Sequence, residues 1–249
     1  MNRTKYFFSN IGSVFMLLGM AVVQFPKIFK SFNLLTQQLF AIGYTSLPLI
    51  VLTSAFTGMV ASIQTAYQIK EYVSLELLSV GISKMIFIEL GPMLAALVLS
   101  GRVGASIAAE IGTMRVTEQI DGLESLSIDP VKYLFLPRLL AGMIMVPILV
   151  IFTDFIAIIS AMLISTLSIG VSLHSFLEGL RWFFEIKDLL GGLVKAVFFG
   201  IIITTMGYHF GAKAKGGAEG VGIATTKAVV TASVLILMAD YFVGSFIFR

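Results

Sequence analysis

The longest uncharged run in this chain is the strongest constraint on its fold. From Ser31 to Ile69, 39 consecutive residues contain no Asp, Glu, Lys or Arg. An α-helix rises 1.5 Å per residue, so about 20 apolar residues cross a hydrocarbon core of roughly 30 Å. The run is therefore long enough to cross a bilayer, and it predicts a membrane-spanning helix within Leu39 to Ile69.

The composition of the whole chain agrees with a membrane protein. Charged residues make up 12% of the 249, and the mean hydropathy is +0.98. A soluble domain carries roughly 25% charged residues, so this chain has too few to cover a soluble surface. Four further apolar stretches have the length of a span: Leu78–Ser100, Leu139–Leu163, Leu189–Tyr208 and Ile223–Phe248. We therefore predict an all-α integral membrane protein with five transmembrane helices.

Two compositional features exclude other classes. The net charge of +3 is small and scattered, so it does not indicate a nucleic-acid partner. The absence of cysteine excludes disulfides, thiolate catalysis and cysteine-ligated metals.

The N-terminal stretch Tyr6–Pro26 is a sixth apolar candidate. Basic residues flank it on both sides, and such residues favour the cytoplasmic side of a membrane. A helix lying in the membrane interface is therefore favoured over a sixth span, which remains the alternative. The predicted organisation is a single membrane domain, with residues 1–33 as the interfacial helix region and 34–249 as the five-helix core.

The distribution of Lys and Arg predicts the topology. With a cytoplasmic N-terminus and five spans, eleven basic residues fall on the cytoplasmic side and five on the outer side. Lys195 lies within a span. This arrangement places Glu110–Pro130 in the cytoplasm and the 165–188 loop and the C-terminus outside.

The segment Glu110–Pro130 differs from its surroundings, because six of its 21 residues are charged. Val116, Ile120 and Leu123 recur at i, i+4 and i+7, which predicts an amphipathic helix of about three or four turns over 111–127. Asp129 is a predicted N-cap, with Pro130 at the first helical position.

A short cytoplasmic helix between spans two and three has two interpretations. It is either a solvated connector or a docking surface for a cytosolic partner. A connector needs only a few residues, so docking is favoured. The charged residues of this surface are Arg115, Glu118, Asp121 and Glu124.

Small residues recur every four positions just before this segment. Gly104, Ala108 and Gly112 would let helix backbones approach closely. Packing within the chain and contact with a second copy both remain open.

Three stretches carry a family resemblance. The central one, ELGPMLAALVLSGRVGASIAAEIGTMRVTEQIDGLESLSIDPVKYLFLPR (Glu89–Arg138), resembles the signature region of the MlaE (YrbE-like) permease family. GGAEGVGIATTKAVV (Gly216–Val230) and GMVASIQTAYQI (Gly58–Ile69) are similar to two further family blocks. The resemblance extends from about Leu34 to the C-terminus.

Members of this family are membrane subunits of ABC transporters associated with Mce-domain lipid-binding proteins. The resemblance implies an N-terminal interfacial helix, five spans, and a homodimer in the bacterial inner membrane. It also implies a cytoplasmic coupling helix seated in the groove of a separate ATPase, and phospholipid as the transported molecule. ATP and Mg would bind the partner ATPase, and this chain would bind no cofactor itself.

Glu89 is the first candidate for a binding site, because a charge at membrane depth is costly and usually faces a cavity or a partner. It lies about 11 residues into the second predicted span and precedes Gly91-Pro92, which should loosen the helix. A purely structural, hydrogen-bonded acid is the alternative. The candidate lipid-pocket residues are Glu89, Leu90, Gln64, Gln68 and Ile69. Ile88 stands where some relatives have a basic residue, so Lys84 is the substitute candidate for contacting a headgroup.

Other ionisable residues receive weaker interpretations. Asp240 is expected to be structural, and Asp154 and Lys195 could form an ion pair. His174 and His209 are interpreted as surface side chains on opposite sides of the membrane, so no metal site is expected.

No G-x-x-x-x-G-K-[ST] motif is present. GAKAKGGAEG is interpreted as a flexible cytoplasmic turn.

The favoured function is the permease subunit of a lipid ABC transporter. A membrane-embedded enzyme using Glu89 or Asp154 as a base, and a proton-coupled secondary transporter using Glu89, are the alternatives.

Overall fold

The computed structural model describes residues 3–24, 32–69, 78–182 and 184–248. Sequence predictions that involve Pro26, Lys27, Lys30, Lys70 and Arg249 lie outside these ranges. The side chains of Arg3, Lys5 and Ile69 are also outside the described part.

Helices dominate the described residues, which contain no strand. The α-helices are α1 (Arg3–Gln24), α2 (Phe32–Ile42), α3 (Leu47–Ile69), α4 (Leu78–Met85), α5 (Gly91–Leu99), α6 (Ala105–Val116), α7 (Gln119–Ser125), α8 (Leu136–Ile164), α9 (Leu173–Trp182), α10 (Ile186–Gly211) and α11 (Gly217–Ile247).

Among the described residues, five helical runs are long and apolar enough to cross a membrane, as predicted. They are span one (Phe32–Gln68), span two (Leu78–Val116), span three (Val131–Ile169), span four (Ile186–Gly211) and span five (Gly217–Ile247). A shorter apolar stretch, Gly12–Ala21, lies in α1, where the N-terminal helix was expected. The chain is a multi-pass helical membrane protein.

Short π-helical segments interrupt the long spans at two prolines. Ile86–Leu90 precedes Pro92, and Val131–Phe135 precedes Pro137. Proline lacks an N–H, and its ring clashes with the carbonyl four residues earlier. The wider π turn accommodates both effects, so the helix continues where a regular α-helix would break. The loosening of the helix expected at Gly91-Pro92 therefore takes the form of a π-helical segment just before it.

The chain divides into two compact units, which alternate along the sequence. The first unit contains Met1–Tyr44, Leu99–Met145 and Gly200–Leu235, and the second contains Thr45–Val98, Val146–Phe199 and Ile236–Arg249.

Within the second unit, α3 and α8 approach each other backbone to backbone. A Cβ atom at Gly58 would overlap the carbonyl oxygen of Ala157. Around this crossing, the buried apolar core consists of Ala66, Leu78, Ile82, Ile86, Ala157, Ala161, Val171 and Phe176.

Within the first unit, the small-residue stripe packs inside the chain. A Cβ atom at Gly207 would lie 3.0 Å from the Gly104 carbonyl oxygen, and one at Gly211 would lie 2.9 Å from the Ala108 carbonyl oxygen. Gly112 faces Val221 and Ala214. The structure therefore places Gly104, Ala108 and Gly112 against α10 and the start of α11, which matches the packing interpretation.

The predicted amphipathic helix over 111–127 is shorter than expected. The helix of span two continues through Val116, and Glu118 then adopts a left-handed backbone conformation with φ 60°. This residue ends one helix and begins the next, so that α7 comprises only Gln119–Ser125. Periodicity could not reveal the break, because Val116, Ile120 and Leu123 keep helical spacing across it.

The predicted helix start at Asp129-Pro130 is correct, and span three begins there rather than at Leu139. The Asp129 carbonyl accepts a hydrogen bond from the Tyr133 N–H at 3.0 Å, and its carboxylate accepts one from the Val131 N–H at 2.9 Å. Asp129 is therefore the N-cap, and Pro130 is the first helical residue.

Candidate functional site

A buried lysine in the second unit binds two carboxylates from two other spans. Lys195 of α10 has no exposed surface, and its Nζ lies 2.9 Å from Glu89 Oε1 and 2.9 Å from Asp240 Oδ1. An unpaired charge at membrane depth is costly, so these contacts stabilise the lysine there. We call these three residues the charge cluster.

The proline in span two explains a further contact of the lysine. Pro92 cannot donate the helical hydrogen bond that the Ile88 carbonyl, four residues earlier, would otherwise accept. Lys195 Nζ donates to this carbonyl oxygen at 3.1 Å. The lysine therefore donates to a carbonyl whose ordinary α-helical donor the proline removes, in addition to pairing with the acids.

Two glycines make room for the lysine and its helix. A Cβ atom at Gly244 would lie 3.1 Å from Lys195 Nζ, and one at Gly192 would overlap the Phe87 carbonyl oxygen. The Phe248 ring centroid lies 5.7 Å from the ammonium group, which is within cation–π range. Close helix contacts thus position the cluster within this unit.

The two acids of the charge cluster differ in exposure. The Asp240 side chain is 13% exposed, while that of Glu89 is 47% exposed. Glu89 therefore joins the buried lysine to the surface, and its free face can meet a polar group from outside the chain. The sequence predicted Glu89 as functional and Asp240 as structural, and the structure brings both to one cation.

The possible ion pair between Asp154 and Lys195 is not formed. Lys195 is engaged by Glu89 and Asp240. Asp154 Oδ1 is buried, has no hydrogen-bond partner among the described residues, and faces Gly91. Sequence position could not distinguish these pairings, because the register between spans is set by packing.

A cleft of about 480 Å³ lies beside α3 in the same unit. Its polar lining residues are Thr57, Gln64, Thr65 and Gln68, and its apolar lining residues are Phe56, Val60, Ala61, Met85, Leu90 and Leu94. We call this the glutamine cleft. Its mixture of amides, hydroxyls and apolar side chains suits an amphipathic molecule.

The structure brings together three of the five candidate lipid-pocket residues. Gln64, Gln68 and Leu90 line the glutamine cleft. Glu89 precedes Leu90 in the chain but is not among the lining residues, and the side chain of Ile69 is outside the described part. The sequence analysis missed Thr57, although Thr57, Ala61, Thr65 and Gln68 follow helical spacing along α3.

Lys84, the substitute candidate for contacting a headgroup, pairs with two acids. Its Nζ lies 2.8 Å from Glu185 Oε1 and 3.4 Å from Asp188 Oδ2. The hydrogen bond and charge of Lys84 hold the pKa of the exposed Glu185 carboxyl below its ordinary value. Glu185 contributes through this contact only when ionised, so the contribution is lost as the pH falls through its lowered pKa.

In the first unit, the predicted docking residues lie around the break between α6 and α7. Arg115 Nη1 and Asp121 Oδ1 form an ion pair at 2.5 Å across the break, and Glu118 and Glu124 are exposed. Nearby, the buried Arg138 donates to Glu110 Oε1 at 2.6 Å and to the Leu134 carbonyl at 2.7 Å. The acidic face of α7 is therefore accessible, and the buried Arg138 links α6 to the start of span three.

The interpretation of both histidines as surface side chains is only half correct. His174 is exposed beside Glu178, but His209 is buried, and its Nε2 lies 3.2 Å from Lys213 Nζ. Among the described residues, no group of three or more His, Cys, Asp or Glu side chains could hold a metal ion.

Comparisons with known proteins identify the family of this chain. A family model described as "Permease MlaE" matches residues 35–246. The chain is 39% identical to a "Probable ABC transporter permease protein" of Rickettsia felis, covering 99% of this chain and 95% of that protein. It is 34% identical to the "Intermembrane phospholipid transport system permease protein MlaE" of Haemophilus influenzae, covering 97% and 93%.

A plant relative extends the comparison. The chain is 34% identical to "Protein TRIGALACTOSYLDIACYLGLYCEROL 1, chloroplastic" of Arabidopsis thaliana, covering 99% of this chain and 70% of that protein. The family match covers the five spans, the charge cluster and the glutamine cleft described above. The chain belongs to the MlaE permease family, as an ABC transporter permease of the membrane.

Proposed function

We propose that this chain is the permease subunit of an ATP-driven transporter that moves phospholipid. The transfer takes place between the bacterial inner membrane and an Mce-domain periplasmic lipid-binding protein, and it maintains outer-membrane lipid asymmetry. Two copies of the chain form the permease. The N-terminus is cytoplasmic and the C-terminus periplasmic.

The glutamine cleft is the observation that supports a lipid substrate. Its volume of about 480 Å³ falls within the usual range of ligand pockets. Gln64 and Gln68 can donate hydrogen bonds to phosphate or ester oxygens, while Phe56, Val60 and Leu90 can contact acyl chains. A phospholipid has both kinds of group.

The charge cluster has a positioning role in this proposal. Glu89 lies one residue before Leu90 of the cleft and binds Lys195 of span four. A change in the helix around Pro92 therefore alters both the cleft lining and the lysine contacts. The contact between Glu89 and Lys195 therefore couples the glutamine cleft to movement of spans two and four.

ATP hydrolysis takes place on a separate cytosolic subunit with its own Mg. The acidic face of α7, formed by Glu118, Asp121 and Glu124, is exposed and available for that contact. The ion pair of Arg115 and Asp121 links α7 to the helix of span two. A displacement of α7 by the ATPase is therefore transmitted to that span.

Reconstitution tests the proposal. The chain is purified with the subunits that accompany it, placed in liposomes, and tested for ATP-dependent transfer of fluorescent phospholipid. A Leu90→Trp substitution fills the glutamine cleft, so we expect transfer to fall at least about tenfold while the ATPase still co-purifies. A matched Leu163→Trp substitution adds the same bulk to an exposed face of α8 outside this cleft, and it should leave transfer intact.

The outcomes separate the alternatives. Transfer that proceeds without ATP but requires a proton gradient would favour the secondary transporter. Chemical conversion of the lipid would favour the enzyme. Equal transfer by the Leu90→Trp and wild-type proteins would contradict the assignment of the glutamine cleft as the substrate site.

A further inference from the structure

A second cleft lies in the first unit, between the end of α10 and the start of α11. It has a volume of about 220 Å³, and none of its lining residues belongs to the glutamine cleft. The lining residues are Phe210, Lys213, Ala214, Lys215, Gly220, Ile223, Ala224 and Lys227. Three of these eight residues are lysines and none is acidic. We call it the lysine cleft.

Two of the three lysines have no acidic partner in the part of the chain that the structure describes. Within the described ranges, neither Lys215 nor Lys227 forms an ion pair, and both side chains are exposed. The third, Lys213, lies 3.1 Å from Ser13 Oγ and 3.2 Å from His209 Nε2. Ammonium groups that share a small cleft repel one another, and an anion between them would remove that repulsion.

The backbone holds the lysine cleft in shape. Gly216 and Gly217 have φ values of 88° and 69°, in the left-handed region that favours glycine. A Cβ atom at Gly220 would overlap the Lys215 carbonyl oxygen, so the turn packs directly on the first turn of α11. Ala214 is buried beneath it. The sequence predicted a turn here, and this turn packs on the helix that follows it.

The start of α11 adds further positive potential. The first N–H groups of a helix lack intrahelical partners and carry a partial positive charge. Gly220, in the first turn of α11, is part of the cleft lining. Glu219, in the same turn, is exposed and is not among the lining residues.

We propose that the lysine cleft binds a phosphate group. Lysine is a common phosphate ligand, and a cleft of this size accepts one phosphate with its adjacent ester rather than a whole lipid. Span four ends at Gly211 and span five begins at Gly217, on either side of the connection that lines this cleft. In a membrane, we expect this connection to lie where lipid headgroups meet water. Basic residues beside a span attract anionic lipids. The phosphate belongs either to a membrane phospholipid or to a soluble phosphate compound.

Lipid binding to the purified chain in neutral detergent tests this proposal. Native mass spectrometry counts bound phosphatidylglycerol, and diacylglycerol serves as the lipid without phosphate. We expect a Lys215→Gln/Lys227→Gln variant to bind one fewer phosphatidylglycerol, or to bind it at least about tenfold more weakly. A Lys132→Gln/Arg181→Gln variant removes the same charge elsewhere and should bind as the wild type does.

Inorganic phosphate distinguishes the two sources. Displacement of the lipid by millimolar phosphate would assign the cleft to soluble phosphate compounds, and resistance to displacement would assign it to lipid headgroups. Both results require the two lysines. Unchanged binding by the double-lysine variant, or equal binding of diacylglycerol, would overturn the proposal.

Hydrogen exchange provides a second measurement on the wild-type protein. Phosphatidylglycerol should slow exchange of the backbone amides in residues 212–227, and diacylglycerol should not. Absence of this protection would also overturn the proposal, independently of any variant. The Leu90→Trp substitution should leave the protection unchanged, so this test is separate from the transport experiment.

Discussion

At the scale of single residues, Lys195 joins three spans in the second unit. It contacts Glu89 and the Ile88 carbonyl in span two and Asp240 in span five. The sequence indicated Glu89, because an acid two residues before Gly-Pro in an apolar helix is unusual. It could not indicate the partner, since Asp154, Asp240 and Lys195 lie on three different helices whose register depends on side-chain packing.

Removing the lysine should destabilise the protein. A Lys195→Ala substitution leaves two carboxylates and the Ile88 carbonyl without their cation. Breaking a buried ion pair in this way typically costs about 3–5 kcal/mol. We expect a clear decrease in the thermal unfolding temperature in detergent, whereas Lys187→Ala at an exposed site should have little effect.

A neutral triple variant separates charge from packing. Glu89→Gln/Lys195→Met/Asp240→Asn removes all three charges, so the unfolding temperature should recover toward the wild-type value. If Lys195→Ala were as stable as the wild-type protein, the lysine would not hold these spans together. Loss of transport in a stable triple variant would assign the charges a role beyond folding.

At the scale of elements, glycines lie where two helices approach each other closely. Gly58→Ala should destabilise the protein by about 1–3 kcal/mol, because the added methyl group overlaps the Ala157 carbonyl. Gly222→Ala is the matched control, since nothing lies within 4 Å of its added Cβ atom. Alanine is the better helix former, so this control should be neutral or up to about 1 kcal/mol more stable. Thermal unfolding of both variants would show which is the less stable. Equal unfolding temperatures would contradict the close crossing of α3 and α8.

The acidic face of α7 should contact the ATPase. Charge reversal of Glu118, Asp121 and Glu124 to lysine should reduce ATPase co-purification at least about tenfold, because it replaces three accessible carboxylates with cations. Glu178→Lys, on the exposed face of α9, should not. Retention of the ATPase by the triple variant would place the docking surface elsewhere.

Some structural elements could be predicted from the sequence, and others could not. The five spans and the Asp129 cap followed from apolar length and capping chemistry, which are local properties. The π segments, the break at Glu118 and the buried state of His209 depend on backbone geometry or on contacts between helices. Three cleft residues, Gln64, Gln68 and Leu90, were identified because polar or motif residues stood out in apolar spans.

At the scale of the whole molecule, the topology can be measured directly because the chain contains no cysteine. A Ser172→Cys variant should react with a membrane-impermeant maleimide in intact cells, since this exposed residue is predicted to be periplasmic. A Ser125→Cys variant, in exposed α7, should react only after the inner membrane is permeabilised. The unmodified chain provides the background. Labelling of position 125 in intact cells would contradict the topology and the ATPase contact together.

The carbonyl of Ile88 has a consequence for motion. An ordinary helix satisfies its own backbone, so it can slide past a neighbour without exposing a polar group. Here Pro92 removes the ordinary α-helical donor of one oxygen, and that oxygen accepts a hydrogen bond from a side chain of another helix. Sliding or turning of span four away from this point would break that bond at membrane depth, which is costly. Spans two and four are therefore linked at this level, and a conformational change that displaces one span displaces the other with it.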